Sequence, residues 1–296
     1  MWSEAEFRAK ARAYFDRAEQ SDQDEAAEFL WCVLGLEFLL RAPLAKINPA
    51  LLADATGHSI LHACGLKATS DKEPLSITTK TVIERLKSVV EGFSGEVEDD
   101  AKKLVGFRNH EIHSSDSVAL NLSKQVWLPK LMRVIDCISA FFEEQADDYF
   151  DNSFCAYARN LVDQEDNKIL HAVRQKISKA KTVANGLTAE EKAARKAKKS
   201  LSGRGYYEVL CPACDSSTKA FYEVARFGAE TLQDDWITSR VFLVASEFEC
   251  PVCGLSLDGV REFDAAGLPQ EQQEERMEAL EDRYAESFIE PDYGND

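Results

Sequence analysis

The sequence predicts a mainly α fold in which a helical bundle is followed by a basic helical segment and a small β-rich region. Three observations carry this reading. Apolar residues recur at three- and four-residue spacing through four or five segments of the first 150 residues. Between residues 174 and 204, ten Lys or Arg stand against two Glu, a local +8 in a chain of formal charge −17. Beyond residue 204, short alternating stretches bracket two Cys-x-x-Cys pairs.

Residues 1–20 read as an amphipathic helix, with Ser3 and Glu6 as a capping box and Phe7, Ala11, Tyr14, Phe15 and Ala18 on one face. Residues 24–41 form a second helix, apolar on most sides, which Pro43 is expected to end. A short helix near 48–64 follows, then a polar turn through Ser70, Asp71 and Pro74. Thr81 and Glu84 are placed to cap a helix carrying Val82, Leu86, Val89, Val90 and Phe93, closed by Gly95. Residues 96–113 continue at helical spacing with Val97, Ala101, Leu104, Val105 and Phe107. A long helix over 123–146 carries Leu128, Leu131, Ile135, Ile138 and Phe142, with Pro129 in its first turn or at a kink. The pattern over 157–184 stays helical but turns basic, and Gly186 stops it. Thr188 and Glu191 cap a further helix through Lys199. Strands are expected at 206–210, 220–227, 241–248 and 257–263. The stretch 270–289 reads as an acidic helix with Met277, Leu280, Tyr284 and Phe288 on one side. The resulting division is 1–150, 151–203, 204–268 and 269–296.

At 296 residues the chain exceeds a comfortable single core, so two compact units are expected. The most apolar run, 29–40, is interrupted by Glu37 and ends at Arg41, too short and too charged to span a bilayer. The first residues are amphipathic and charged rather than basic and then apolar, which favours a soluble cytoplasmic protein without a membrane partner. Once the basic segment is set aside, the remainder carries about −25, so any nucleic-acid surface has to be local.

Four of the eight cysteines lie in Cys211-Pro-Ala-Cys214 and Cys250-Pro-Val-Cys253-Gly254, two tight turns that offer four thiolates to one tetrahedral ion. The second turn resembles the CPxCG knuckle of zinc ribbons, while Asp215 stands where the first knuckle would have glycine. One structural Zn2+ per chain is the expectation. The 35 residues between the pairs exceed the common spacing of about 15 to 20, leaving room for an inserted hairpin or helix. With four sulfur ligands no position is open for water, so the ribbon serves RNA contact, dimerisation or partner docking rather than hydrolysis. Asp54, His58 and His62 recur every fourth residue but span about 12 Å on a straight helix, too far for one ion.

The run Arg108-Asn109-His110-Glu111-Ile112-His113 closes the fifth helical segment. By itself it is compatible with an exposed helix end. On an ideal helix Arg108 and His113 point about 140° apart, so they converge only if the helix unwinds between them or if two subunits meet. An Arg-x4-His run, polar after the arginine, in an all-helical domain resembles the HEPN superfamily of RNA-cutting toxins and defence proteins. Leu36-Glu37-Phe38-Leu39-Leu40-Arg41 resembles the "LE..LK" run of an earlier helix in that family, with Arg for Lys. The resemblance covers residues 1 to about 150.

It implies a HEPN-like bundle and a metal-independent endoribonuclease, a toxin or antiviral effector whose site forms where two protomers bring their motifs together. RNA carries its own nucleophile, the 2′-hydroxyl, so the enzyme needs a base, an acid and a cation for the phosphorane. His113 of each copy would move protons, Arg108 would hold phosphate, and Asn109 would position the phosphate or His113. Glu37 either orients Arg108 or pairs with Arg41 at i+4. His110 reads as a surface residue. Lys192, Arg195, Lys196, Lys198 and Lys199 are the candidate RNA contacts. Tyr206, Tyr207, Phe221 and Tyr222 belong to the strand core or stack on bases. RNA, a second copy and an antitoxin or regulator are the expected partners. A non-catalytic RNA-binding or adaptor protein, dimerising through the bundle and docking a partner through the ribbon, is the alternative.

Overall fold

The structure, a computed structural model, describes residues 2–21, 23–67, 72–198 and 203–285, and within these it is mainly helical with one small antiparallel sheet. Ser70, Asp71, Lys199 and Phe288 lie outside the described residues. The chain divides into two compact units, Met1–Ala172 and Val173–Asp296, so the division falls inside a helix.

The first unit is built on α1 (Glu4–Glu19) and α2 (Glu25–Ile47). Ser3 is the N-cap of α1 without a side-chain cap bond; its carbonyl accepts from the Phe7 amide instead. The Asp24 carboxylate caps α2 by accepting from the Ala27 amide. Helix α2 does not stop before Pro43. Pro43, Ala42, Leu44 and Ala45 are all buried, and that packing offsets the main-chain bond that proline cannot donate. The expected helix over 48–64 is split into a 3₁₀ turn, Pro49–Leu52, and α3 (Gly57–Ala63), because the Asn48 side chain caps the Ala50 amide and Ala53 bridges to Ser76.

Helix α4 (Thr79–Val89) starts earlier than its sequence suggests, since Thr78, not Thr81, is the N-cap. Helix α5 (Glu96–His113) has the bounds its periodicity predicts. It is tied at its N-terminal half by Glu98, which bridges Lys87 and Lys102, and by Asp100, which accepts from Arg133 at 2.8 Å. Arg133 sits on α6 (Lys124–Phe141), a helix capped by Ser123 that keeps Pro129 buried within it. Helix α7 (Asn152–Asn185) then runs on into the second unit.

Helices α1 and α2 meet where Gly35 faces Phe15. A Cβ on Gly35 would lie 2.5 Å from Phe15 Cε1, and that ring is fully buried with Phe150 at 4.4 Å, so it has little room to move. Glycine to alanine in a helix normally stabilises by up to about 1 kcal/mol. Here overpacking should win, and Gly35→Ala is expected to lose about 1–3 kcal/mol in urea or thermal unfolding. A more stable variant would show that the two helices are free to separate.

In the second unit, α8 (Ala189–Lys198) follows the capping box that sequence predicts: Thr188 N donates to Glu191 and Glu191 N to Thr188 Oγ1. The sheet has β1 (Tyr206–Leu210), β2 (Ser217–Gln233), β3 (Trp236–Glu249) and β4 (Ser256–Asp258) as neighbours in that order, all antiparallel. The 35-residue interval between the cysteine pairs is filled by the β2–β3 hairpin, which turns at Asp234 with φ 54°. Residues 257–263 are strand only at their start, because the chain turns into α9 (Gly259–Ala265).

The expected acidic helix over 270–289 is corrected. Residues Glu271–Ala279 form β5, paired along β3 from Trp236 to Val244, and Leu280–Ala285, α10, is helical; residues 286–289 lie outside the described residues. The strand satisfies the outer edge of β3, which β4 covers only from Glu247 to Glu249, and its charged residues alternate between exposed and half-buried. Tyr222 and Phe263 meet beside Phe248 in the core of this unit, and Tyr207 packs edge-on against Tyr222. Tyr222, Phe248 and Phe263 are core, while Tyr207 is half-buried and donates its hydroxyl to Glu274.

Candidate functional site

The two cysteine pairs sit in matching turns. After β1, the Cys211 amide donates to Ser216 O and the Asp215 amide to Cys211 O; after β3, the Cys250 amide donates to Leu255 O and the Gly254 amide to Cys250 O. Each turn therefore closes a hairpin and points two sulfurs to one side. Gly254 takes φ 73° at the position where Asp215 takes 56°, so the departure from glycine in the first knuckle still adopts the left-handed conformation, which Asp tolerates better than most residues.

Cys211 Sγ lies 3.6 Å from Cys253 Sγ and Cys214 Sγ 3.6 Å from Cys250 Sγ, and all four sulfurs fall within 4.8 Å of one another. That is far beyond a disulfide bond of about 2.05 Å. It is close to the roughly 3.8 Å edge of a tetrahedron with metal–sulfur bonds near 2.3 Å. Cys250 is pushed down to about 5, first by the hydrogen bond from Cys211, then by the backbone amides of Cys253 and Val252 against the opposing effect of burial. Cys211, through its hydrogen bond to Cys250, and Cys253, through burial, are pushed up instead, so the cluster holds protons as well as a thiolate. A mostly buried four-sulfur set of this geometry can hold a metal ion, and its donors fit zinc. Among the described residues it is the one such cluster. Asp54 precedes α3, His58 Nε2 bonds the Glu73 carbonyl, and the His62 ring packs on Trp2, so that triplet does not converge.

Helix α5 is unbroken through His113, with Ser114 as its C-cap. Arg108 consequently turns inward and forms an ion pair with Glu37 of α2, its side chain 15% exposed. Burial lowers the Arg108 pKa, and its Nε is buried without a hydrogen-bond partner among the described residues. Arg41 does not take Glu37's carboxylate: it donates to the Glu37 carbonyl at 2.7 Å and to Thr79 Oγ1 at 3.1 Å. Of the two sequence readings of Glu37, the pair with Arg108 is the one formed.

Asn109 and His113, four residues apart, share the exposed side of α5 with Ile112, which is 54% exposed. Among the described residues no hydrogen bond or ion pair reaches Asn109 or His113. His110 stands 4.0 Å from Asp116. Glu111 anchors the loop after the helix, accepting from the Ala119 amide at 2.8 Å and the Ser117 hydroxyl at 3.0 Å; these bonds, Ala119's first, hold its carboxyl below the usual range. Within one chain, then, Arg108 and Glu37 are brought together and His113 is not.

The basic candidates fall on α8. Lys192 is half-buried, Lys196 is exposed, and Lys198 is the last residue of the helix. Arg195 is engaged: its Nη1 donates to the carbonyl of Val252, inside the second knuckle, at 3.1 Å. Sequence reasoning missed this contact, which joins residues 57 apart and leaves no local pattern. Among the described residues no helix is long and apolar enough to cross a membrane. Compared with models of protein families, with curated proteins and with solved structures, the chain matches none.

Proposed function

We propose that this chain is a metal-independent endoribonuclease of the HEPN type, acting as a homodimer in toxin or antiviral defence. The observation that carries the reading is the split of the Arg-x4-His run on one continuous helix. Arg108 is held on Glu37 beneath the surface, while Asn109 and His113 stand exposed, with no side-chain partner among the described residues. Cleavage by the 2′-hydroxyl needs two proton movers, and one copy offers a single His113. A second copy, facing the first across the end of α5, supplies the other. Gly106 supports that face: it lies exposed on α5, one turn before His110, with nothing within 4 Å of where a Cβ would be. Inside a helix glycine costs about 1 kcal/mol relative to alanine, and no close approach within this chain requires it.

In this reading Glu37 orients Arg108 toward phosphate, and Lys192, Lys196, Lys198 and Lys199 draw RNA toward the dimer. Zinc, held by Cys211, Cys214, Cys250 and Cys253, shapes the ribbon and takes no part in bond cleavage, since four sulfurs leave it no open position. An antitoxin or regulator and a cytoplasmic setting belong to the same reading.

The second reading, a non-catalytic RNA-binding or adaptor protein, is favoured by one observation. Arg108 and Arg195 both spend their guanidinium groups on the protein itself.

Asn109→Cys tests the shared face. With a short bismaleimide it should give a crosslinked dimer well above the wild-type background, whereas Lys80→Cys, at a position 84% exposed on α4, should not. Equal crosslinking of Asn109→Cys and wild type would remove the composite site.

A further inference from the structure

Helix α8 has an unusual claim to being folded. It is ten residues long, shorter than the roughly 12–15 residues at which an isolated helix becomes even marginal in water. None of its described side chains is buried, so no apolar face secures it. The Thr188–Glu191 capping box helps it start. Among the described residues, the one side-chain hydrogen bond from α8 to the knuckles and strands is Arg195 Nη1 to Val252 O.

That acceptor is conformationally dependent on the cysteines. Val252 lies between Cys250 and Cys253, its side chain is 1% exposed, and the turn that aims its carbonyl is closed by the Gly254 amide on Cys250 O. A metal pulling Cys250 and Cys253 onto one point fixes the carbonyl's direction. Without it, the four sulfurs share no ligand, and the turn is held by its main-chain bonds alone.

We infer that α8 is a latch closed by the second knuckle: Arg195 fastens it to the Val252 carbonyl while a metal holds the cysteines, and loss of the metal releases it. The metal clause rests on the cluster holding zinc; the fastening by Arg195 does not. Release would free the Arg195 guanidinium, adding it to the already exposed Lys196 as a cation for an anionic partner in the metal-free state. Lys176, at the neighbouring end of α7, is held separately by both Glu262 oxygens at 2.7 Å, so α7 does not depend on the latch.

Amide hydrogen exchange on the full chain tests this, with metal content measured in parallel. In zinc-replete Arg195→Ala, the amides of residues 193–197 should exchange about ten- to hundredfold faster, as expected for losing a hydrogen bond to a charged donor, and Arg195→Lys should restore much of the protection. Those around Val173 and Ala180 in α7 should not change. Stripping wild type with a zinc chelator should accelerate the same α8 amides. Wild-type exchange in Arg195→Ala overturns the fastening. Unchanged α8 exchange in protein shown to have lost its metal overturns the gating. A wild type that never holds metal removes the gating and the zinc reading together, while the Arg195→Ala comparison still decides the latch.

Discussion

Cys250→Ser is expected to lower bound zinc from about one equivalent per chain to less than about half, and to unfold the second unit's knuckles, because a structural zinc contributes on the order of 10–16 kcal/mol of apparent folding energy. The size of the effect follows from the geometry. Cys250 is fully buried, 3.6 Å from Cys214, and its amide closes the hairpin on Leu255. A serine hydroxyl there stays protonated at neutral pH and cannot replace a thiolate. The second unit offers little to compensate, since its sheet is small and its helices α9 and α10 are short. Elemental analysis of protein purified without chelator gives the first measurement, and thermal unfolding the second, with the transition of the α1–α6 core unshifted. Less than about half an equivalent in wild type, or an unaltered C-terminal unit in Cys250→Ser, would defeat the structural-zinc assignment.

His113→Ala is expected to remove RNA cleavage almost wholly while leaving fold and dimer intact, since a positioned acid or base is worth about 10²–10⁴ in rate. His113 is exposed and makes no side-chain hydrogen bond or ion pair among the described residues, so its removal disturbs none of their packing. Arg108→Ala should be equally inactive, but it also leaves Glu37 mostly buried without its cation and so should cost stability. Comparing the two separates chemistry from folding. The assay is a labelled panel of single-stranded and loop RNA with EDTA present, and the products should end in 2′,3′-cyclic phosphate and 5′-hydroxyl. A mixed dimer of the two variants keeps one His113 and should stay far below wild type. Robust cleavage by His113→Ala, or products ending in 3′-hydroxyl, would sink the mechanism. No cleavage by any preparation would shift the preference to the binding-module reading.

What could be read from the chain alone is what neighbouring residues decide among themselves. Helix α5 was legible to the residue because the apolar spacing of Val97, Ala101, Leu104, Val105 and Phe107 acts within a few positions, whereas Gly95, read as the close of the preceding helix, is its N-cap. The box of Thr188 and Glu191 is likewise a contact across three residues. The four cysteines were legible because a Cys-x-x-Cys turn already aims two sulfurs together. Even the angular conflict between Arg108 and His113 follows from helix geometry before any coordinates.

The remainder was decided by partners far away in sequence. Met277 and Leu280 fit a helical face, yet residues 271–279 became a strand because β3 presented an open edge whose amides and carbonyls needed bonds. Pro43 would stop an isolated helix; a buried segment around it carries α2 on to Ile47. Glu37 could equally serve Arg41 or Arg108 until α2 and α5 packed and gave Arg41 the Glu37 carbonyl and Thr79 instead. Arg195 read as one more candidate RNA contact until the second knuckle placed a carbonyl within its reach. Local pattern sets what each segment can form at small entropic cost, whereas a contact between distant residues gains its energy only after the chain has closed the loop between them, so the choice among competing partners belongs to the tertiary structure.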